Sequence, residues 1–243
     1  MRVLIVHAHP ETASFNASMM REAVSTLAEV GHEVLVSDLY AMGFDPVSDR
    51  RNFRTVADAE RLDQQREEAY ASAHGGYVAE LQAEMDKVVW CNALILQFPL
   101  WWLSMPAILK GWIDRVFAVG RSYGGGRWFD RGVHAGKLAL CSVTVGGPPE
   151  LYSERGFYAP LEQVLFPVHR GILGFTGFTV VEPFIVYGPQ RMSRAERLAC
   201  LGDYRRRLLA LESLPRVENP RTSDYEGFVR KASGAGDRLA GGE

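Results

Sequence analysis

Apolar residues along this 243-residue chain gather in short, nearly continuous runs separated by longer stretches of mixed pattern. Runs of strand length fall at residues 2–8 (RVLIVHA), 32–39 (HEVLVSDL), 93–98 (ALILQF), 137–144 (KLALCSVT) and 178–187 (FTVVEPFIVY). A strand with one face in water alternates apolar and polar side chains, whereas a nearly unbroken apolar run suits a strand covered on both faces, as in a parallel sheet. Helical periods lie between the runs. Residues 15–31 (FNASMMREAVSTLAEVG) end at Gly31 and have Ser14 or Asn16 as a cap. From Met105 onward, Ile108, Leu109, Trp112, Ile113, Val116 and Phe117 share one helix face, with Pro106 in the first turn, where its missing N–H costs nothing. Residues 193–212 (SRAERLACLGDYRRRLLALE) read as a last helix and residues 233–243 as a loose tail.

Strand and helix alternate, which places the chain in the α/β class with right-handed crossovers. Five strands at this spacing predict one doubly wound, flavodoxin-like, five-stranded parallel sheet with helices on both faces. The domain would span residues 1–215, with an insertion of unassigned structure at about 40–76, and residues 216–243 would be a C-terminal extension and flexible tail. Ligands of such sheets bind outside the carboxyl ends of the strands. The places to search are therefore residues 7–16, 97–105 and 144–158.

Composition narrows the partners more than the fold. A hydrophobic content of 47% with 23% charged residues permits a sizeable core. A net charge of -2 with scattered Lys and Arg gives no basic stripe, so nucleic acid is not an expected partner. Cys91, Cys141 and Cys200 are odd in number and widely spaced, which suggests neither a disulfide framework nor a zinc site and fits a reducing cytoplasm. The N-terminal apolar run is too short for a signal peptide or a membrane span, so no membrane insertion is expected.

The first strand-end loop, HAHPETASFNAS, opens a helix with small hydroxyl and amide residues. Free N–H groups and the helix dipole attract phosphate there, although Ser14 or Asn16 could equally be a plain cap. His7 and His9 share a strand face, but no third ligand stands at a recognisable spacing and no metal is expected. No G-x-G-x-x-G follows the first strand, and GVHAGKLA lacks the spacing and hydroxyl residue of a P-loop. The second loop carries a bulky run, Pro99 to Leu103 (PLWWL), where chains ordinarily turn through solvent. The third, TVGGPPELYSERG, places paired glycines just after a strand, where backbone can approach a flat ligand and donate N–H bonds. A flexible aromatic loop, RSYGGGRWFDRG, adds Tyr123 and Trp128.

Together, HAHPETASFN, SDLYAMGFDP, QFPLWWLSMPAILKGWIDRVF, TVGGPPELYSERG and GILGFTGFTVVEP resemble the NAD(P)H:quinone reductase family of FAD-containing DT-diaphorases and their bacterial relatives. The resemblance runs in order from about residue 2 to 211 and is most specific in FPLWWLSMPAILKGWIDRVF. It implies a flavodoxin-like homodimer with FAD at the subunit interface, and ping-pong reduction of quinones with NADPH or NADH as hydride donor. By the same resemblance His9, Ser14, Phe15 and Asn16 hold the pyrophosphate and ribityl region. Pro99, Leu100, Trp102 and Leu103 line the isoalloxazine, with Trp102 touching the ring and Trp101 left to core or interface. Thr144, Val145, Gly146 and Gly147 bond the polar edge of the ring, and Arg197 lies toward the adenine.

Tyr152 matches the family tyrosine that donates to the reduced ring, while Tyr158 stands where the family has a histidine. A phenol donates a hydrogen bond but, unlike an imidazole, does not become a cation near neutral pH. Tyr123 and Trp128 fall in the substrate pocket, where Gly125 replaces a second family tyrosine and Leu103 replaces an aromatic, implying a wider, less aromatic pocket. The same flavin chemistry would also serve a nitro- or azo-reductase, and some relatives are ancillary subunits of glutathione-gated potassium efflux systems.

Overall fold

The computed structural model describes residues 1–231, so the tail expected at 233–243 lies outside the described residues. Strands β1 (Arg2–His7), β2 (Glu33–Asp38), β3 (Ala93–Pro99) and β4 (Leu138–Val145) pair in parallel in the order β2-β1-β3-β4. Successive side chains of a strand point to opposite faces. Leu4, Val6, Leu94, Leu96, Phe98, Cys141 and Val143 accordingly fill one core, and Val3, Ile5, Ala93, Ile95 and Leu140 the other. The edge strand β2 keeps exposed positions, among them Glu33 and Leu35, while β1 is buried after its first residue, Arg2.

The run at 178–187 is not one strand. It forms β5 (Thr179–Val180) and β6 (Phe184–Tyr187), both paired with β4. Val180 lies opposite Ala139 and Phe184 opposite Ser142, so the outer chain takes one more residue than β4 between them. That extra residue makes a bulge at Pro183, which has no N–H to give the ladder, and the Glu182 N–H turns aside to Pro215 O.

Helices α1 (Phe15–Glu29), α2 (Gln64–His74), α3 (Ala79–Trp90), α4 (Ala107–Val116), α5 (Leu161–Val164) and α6 (Arg194–Leu209) follow in chain order. Helices α1 and α6 cover one face, burying Met19, Ala23, Leu27, Tyr204 and Leu208. Ser14 caps α1 by accepting the Ala17 N–H, and a Ser193–Glu196 capping box starts α6. Helices α3 and α4 cover the other face through Leu81, Met85, Val88, Leu109, Trp112, Ile113 and Val116. Pro106 is the cap residue of α4 rather than its first turn. A Cβ at Gly111 would fall 2.2 Å from Pro46 O, so glycine lets the insertion lie directly on α4.

The insertion is ordered by polar contacts. Arg115 on α4 donates to Asn52 Oδ1 and Asp45 O, and buried Glu67 on α2 accepts the N–H groups of Ala57 and Asp58 at 2.8 and 2.9 Å. Residues 216–231 are likewise held, ending in a hairpin of β7 (Tyr225–Glu226) and β8 (Val229–Arg230). The Asp130 carboxylate accepts from Thr222 N and Oγ1 at 2.8 and 3.2 Å, fastening this extension to the loop after α4. Cys91 and Cys141 are fully buried, which pushes their thiols up to about 11 and about 12. Among the described residues, no helix is long and apolar enough to cross a membrane.

Candidate active site

A cleft of about 520 Å³ opens at the carboxyl ends of β1, β3, β4 and β6. The turn before α1 contributes His9, Ala13, Ser14, Phe15 and Asn16, and the end of β3 contributes Pro99, Leu100 and Trp101. From the end of β4 come Thr144, Val145 and Gly146, and the far side is closed by Pro189, Gln190 and Arg197. The three loops predicted from the strand ends thus meet, joined by a fourth after β6.

One end of the cleft is electropositive. The first N–H groups of α1, on Phe15 and Asn16, have no intrahelical acceptor, and the helix dipole points the same way. His9 Nδ1 accepts the Glu11 N–H at 3.0 Å, so in the neutral ring Nε2 carries the proton and is left as a donor. Arg197 Nε donates to Pro189 O at 3.0 Å, which anchors the guanidinium at the opposite end. Phosphate groups suit this arrangement.

Asn16 is not the cap but part of a buried relay. Tyr204 OH donates to Gln97 Oε1 at 3.4 Å, Gln97 Nε2 to Asn16 Oδ1 at 2.8 Å, and Asn16 Nδ2 to Thr144 Oγ1 at 2.7 Å. Because Thr144 Oγ1 already accepts, its own hydrogen is left to donate.

The bulky run after β3 divides between wall and rim. Trp101 and Ser104 exchange backbone bonds of 2.9 and 3.0 Å, closing a two-residue turn whose central residues, Trp102 (φ 52°) and Leu103 (φ 55°), are both left-handed. Turns of this kind ordinarily take Asn-Gly, and bulky side chains there cost about 1–2 kcal/mol each. Trp101 lines the cleft with its ring 6.3 Å from that of His9. Trp102, expected to touch a bound ring, stands at the rim with 100% of its surface exposed, and Leu103 is exposed beside it. The pairing of Trp101 with Ser104 turns both central side chains outward.

Gly147, Tyr152 and Tyr158 follow β4 in the loop that supplies Gly146 but do not themselves line the cleft. A Cβ on Gly147 would lie 3.4 Å from Tyr152 Cε2 and 2.5 Å from Leu151 Cδ1, so glycine permits the close fold of this loop. The Tyr152 and Tyr158 rings lie 5.4 Å apart, and burial pushes the Tyr152 phenol up, keeping it protonated as a donor. Tyr123, Gly125 and Trp128 do not line the cleft. Tyr123 sits against Phe175, with ring centres 5.8 Å apart, while Trp128 walls a second, apolar pocket of about 420 Å³ with Phe129, Tyr225 and Phe228.

A family model described as Flavodoxin-like fold matches residues 1–208. The chain is 40% identical over 233 residues to a ribosyldihydronicotinamide dehydrogenase-like protein of Penicillium crustosum, covering 93% of this chain and 87% of that one. It is 39% identical over 208 residues to NAD(P)H dehydrogenase (quinone) 1 of Cavia porcellus, covering 85% and 76%. The solved structure of a candidate quinone reductase from Klebsiella pneumoniae superposes with a TM-score of 0.86 at 37% identity, covering 89% of this chain and 86% of that one. The chain belongs to the NAD(P)H:quinone reductase family.

The single chain shows a polar-ended cleft and a separate aromatic pocket. Sequence reasoning passed over Gln97, Pro189 and Gln190 and left Trp101 to core or interface. The polar Gln97 inside an otherwise apolar strand was the available signal for the relay. Gly188 followed by Pro189 marked a turn at the fourth loop, and Gly188 is indeed left-handed there (φ 57°).

Proposed function

We propose that the protein is a flavin-dependent NAD(P)H:quinone oxidoreductase that binds FAD as a homodimer. The observation that carries this reading is the cleft itself, which joins an electropositive helix end to an apolar wall and a glycine-bearing donor loop at one sheet edge. The flavin, when bound, would supply the capacity to take a hydride from a nicotinamide and pass two electrons to a quinone. His9, Ser14, Phe15 and Asn16 would hold the pyrophosphate and ribityl chain. Arg197 at the far end supports FAD over FMN, since FMN has no adenine to reach it.

Pro99 and Leu100 would flank the ring, with Trp102 and Leu103 closing over it from the rim. Thr144 Oγ1 and the N–H groups of Gly146 and Gly147 would bond the polar edge, where Tyr152 donates to negative charge as it develops. A donor fixed in advance costs no reorganisation at the moment of reaction. Dimerisation is supported by the exposed, strained Trp102 turn and by the placement of Tyr123 and Trp128 away from the cleft. A partner copy would bring its aromatic pocket to the open side and supply the substrate wall. A reducing cytoplasm suits the three unpaired thiols.

The test is to purify the protein, identify any released flavin, and follow anaerobic bleaching by NADH, NADPH and a dihydronicotinamide riboside. Turnover is then compared on quinones, nitroaromatics and azo dyes. One FAD per chain, bleaching by a nicotinamide, and the highest kcat/KM on quinones are expected. A colourless protein that no flavin reconstitutes overturns the reading. Co-purification with a membrane transporter and no turnover would instead support an ancillary subunit.

A further inference from the structure

The insertion carries a buried acid that the chemistry above does not use. Glu68 on α2 is almost wholly buried, and among the described residues no cation pairs with it. Burial pushes its carboxyl up, and nearby Asp114 adds to that. A leucine would fill the position at less cost, so the acid must return something in position.

What it returns is a hold on Val119. Glu68 Oε2 accepts the Val119 N–H at 2.8 Å, and one turn along α2 Ser72 Oγ donates to Val119 O at 2.6 Å. Both backbone groups of one residue are thereby fixed to one helix. Tyr77 OH donates to Glu68 O at 3.0 Å and braces the helix from behind, and Gln64 Nε2 donates to Glu68 Oε1 at 3.0 Å. Gly120 (φ +83°) follows, where a Cβ would fall 2.8 Å from that of Ser72, and its N–H closes a turn onto Tyr123 O at 2.8 Å. Gln65 Nε2 of the same helix lies 3.5 Å from the Tyr123 hydroxyl.

We propose that α2 is a clamp on the substrate loop, with Glu68 and Ser72 as positioning residues that set the place of Tyr123 through the Val119–Tyr123 turn. The insertion is then a specificity element of the active site rather than a docking face. This rests on the reading of Tyr123 as a quinone contact.

The flavin-loaded protein and its variants are assayed with 2-methyl-1,4-naphthoquinone, recording KM, kcat and bound flavin per chain. Glu68→Leu and Ser72→Ala are each expected to raise the quinone KM about 5-fold, the scale of one lost hydrogen bond, with flavin content unchanged and kcat within about 2-fold. Glu68→Gln keeps an acceptor for Val119 and restores the KM. Should Glu68→Leu not fold, Ser72→Ala decides. An unchanged KM in Ser72→Ala, while Tyr123→Ala raises it, overturns the clamp alone. An unchanged KM in Tyr123→Ala overturns the substrate role of Tyr123 and the clamp together, and a Glu68→Gln as impaired as Glu68→Leu removes the acceptor assignment.

Discussion

The Tyr158 ring lies 5.4 Å from that of Tyr152, and we propose that this phenol, standing where the family resemblance leads one to expect a histidine, sets how this position responds to acid. With a phenol in place of an imidazole, this position should contribute no histidine-like step to quinone reduction between about pH 6 and 7. Tyr158→His should introduce one, and an unaltered profile in that variant would sink the idea. Tyr152→Phe should lower kcat about 10- to 100-fold with flavin retained, because only the hydroxyl is lost. A variant at full rate would remove Tyr152 from the mechanism. At this scale the motifs named loops that meet at the cleft but could not tell wall from rim. Trp101 and Trp102 are adjacent and identical, and only the backbone bonds between Trp101 and Ser104 decide which of them faces inward. Asn16 was equally ambiguous, since capping and the bond to Thr144 ask for the same amide.

The turn at Trp102 and Leu103 is the element where local preference and role conflict. Replacing both residues, Trp102→Asn with Leu103→Gly, installs the pair that such turns favour and should relieve about 2–4 kcal/mol of strain. The same change deletes the exposed aromatic, so flavin affinity should fall about tenfold or more and sedimentation should show monomers. Retained dimers with wild-type flavin affinity would separate the turn from both roles. Strands β1, β3 and β4 were legible as elements because burial on both faces leaves an unbroken apolar run. Helices α2 and α3 were not, because Glu67, Glu68 and Glu84 are buried charges on the faces where periodicity asks for apolar residues. Glu84 accepts from Trp112 Nε1 at 2.8 Å and Glu67 from two backbone groups, tertiary bonds that no local pattern announces. The fifth strand was read as one run across Pro183, and its break there depends on the register against β4.

For the whole molecule, acid should act through histidines that are buried neutral. His134, packed against Phe117 and Phe178, is pulled from the ordinary 6.5 to about 3, and His169 to about 4, both by burial. His7 is lowered for the same reason. Below 6.5 the unfolded chain protonates these rings while the folded chain does not, so stability rises with pH in this window and is lost on acidification. His134 and His169 should each remove up to about 1.4 kcal/mol per pH unit as the pH falls toward their folded values. Urea unfolding between pH 7.5 and 5 measures it, and a flat midpoint would contradict the burial of these groups. Acid also protonates surface carboxylates that accept hydrogen bonds, such as Asp58, whose carboxyl is held down by backbone N–H groups, so the decline should steepen further. The same burial has another consequence at Cys91 and Cys141, whose thiols are pushed up to about 11 and about 12. Quinones are Michael acceptors that alkylate thiolates, and a thiol so shielded offers almost none at neutral pH. A chain that works on such electrophiles thus keeps these two buried thiols from being arylated by its own substrate.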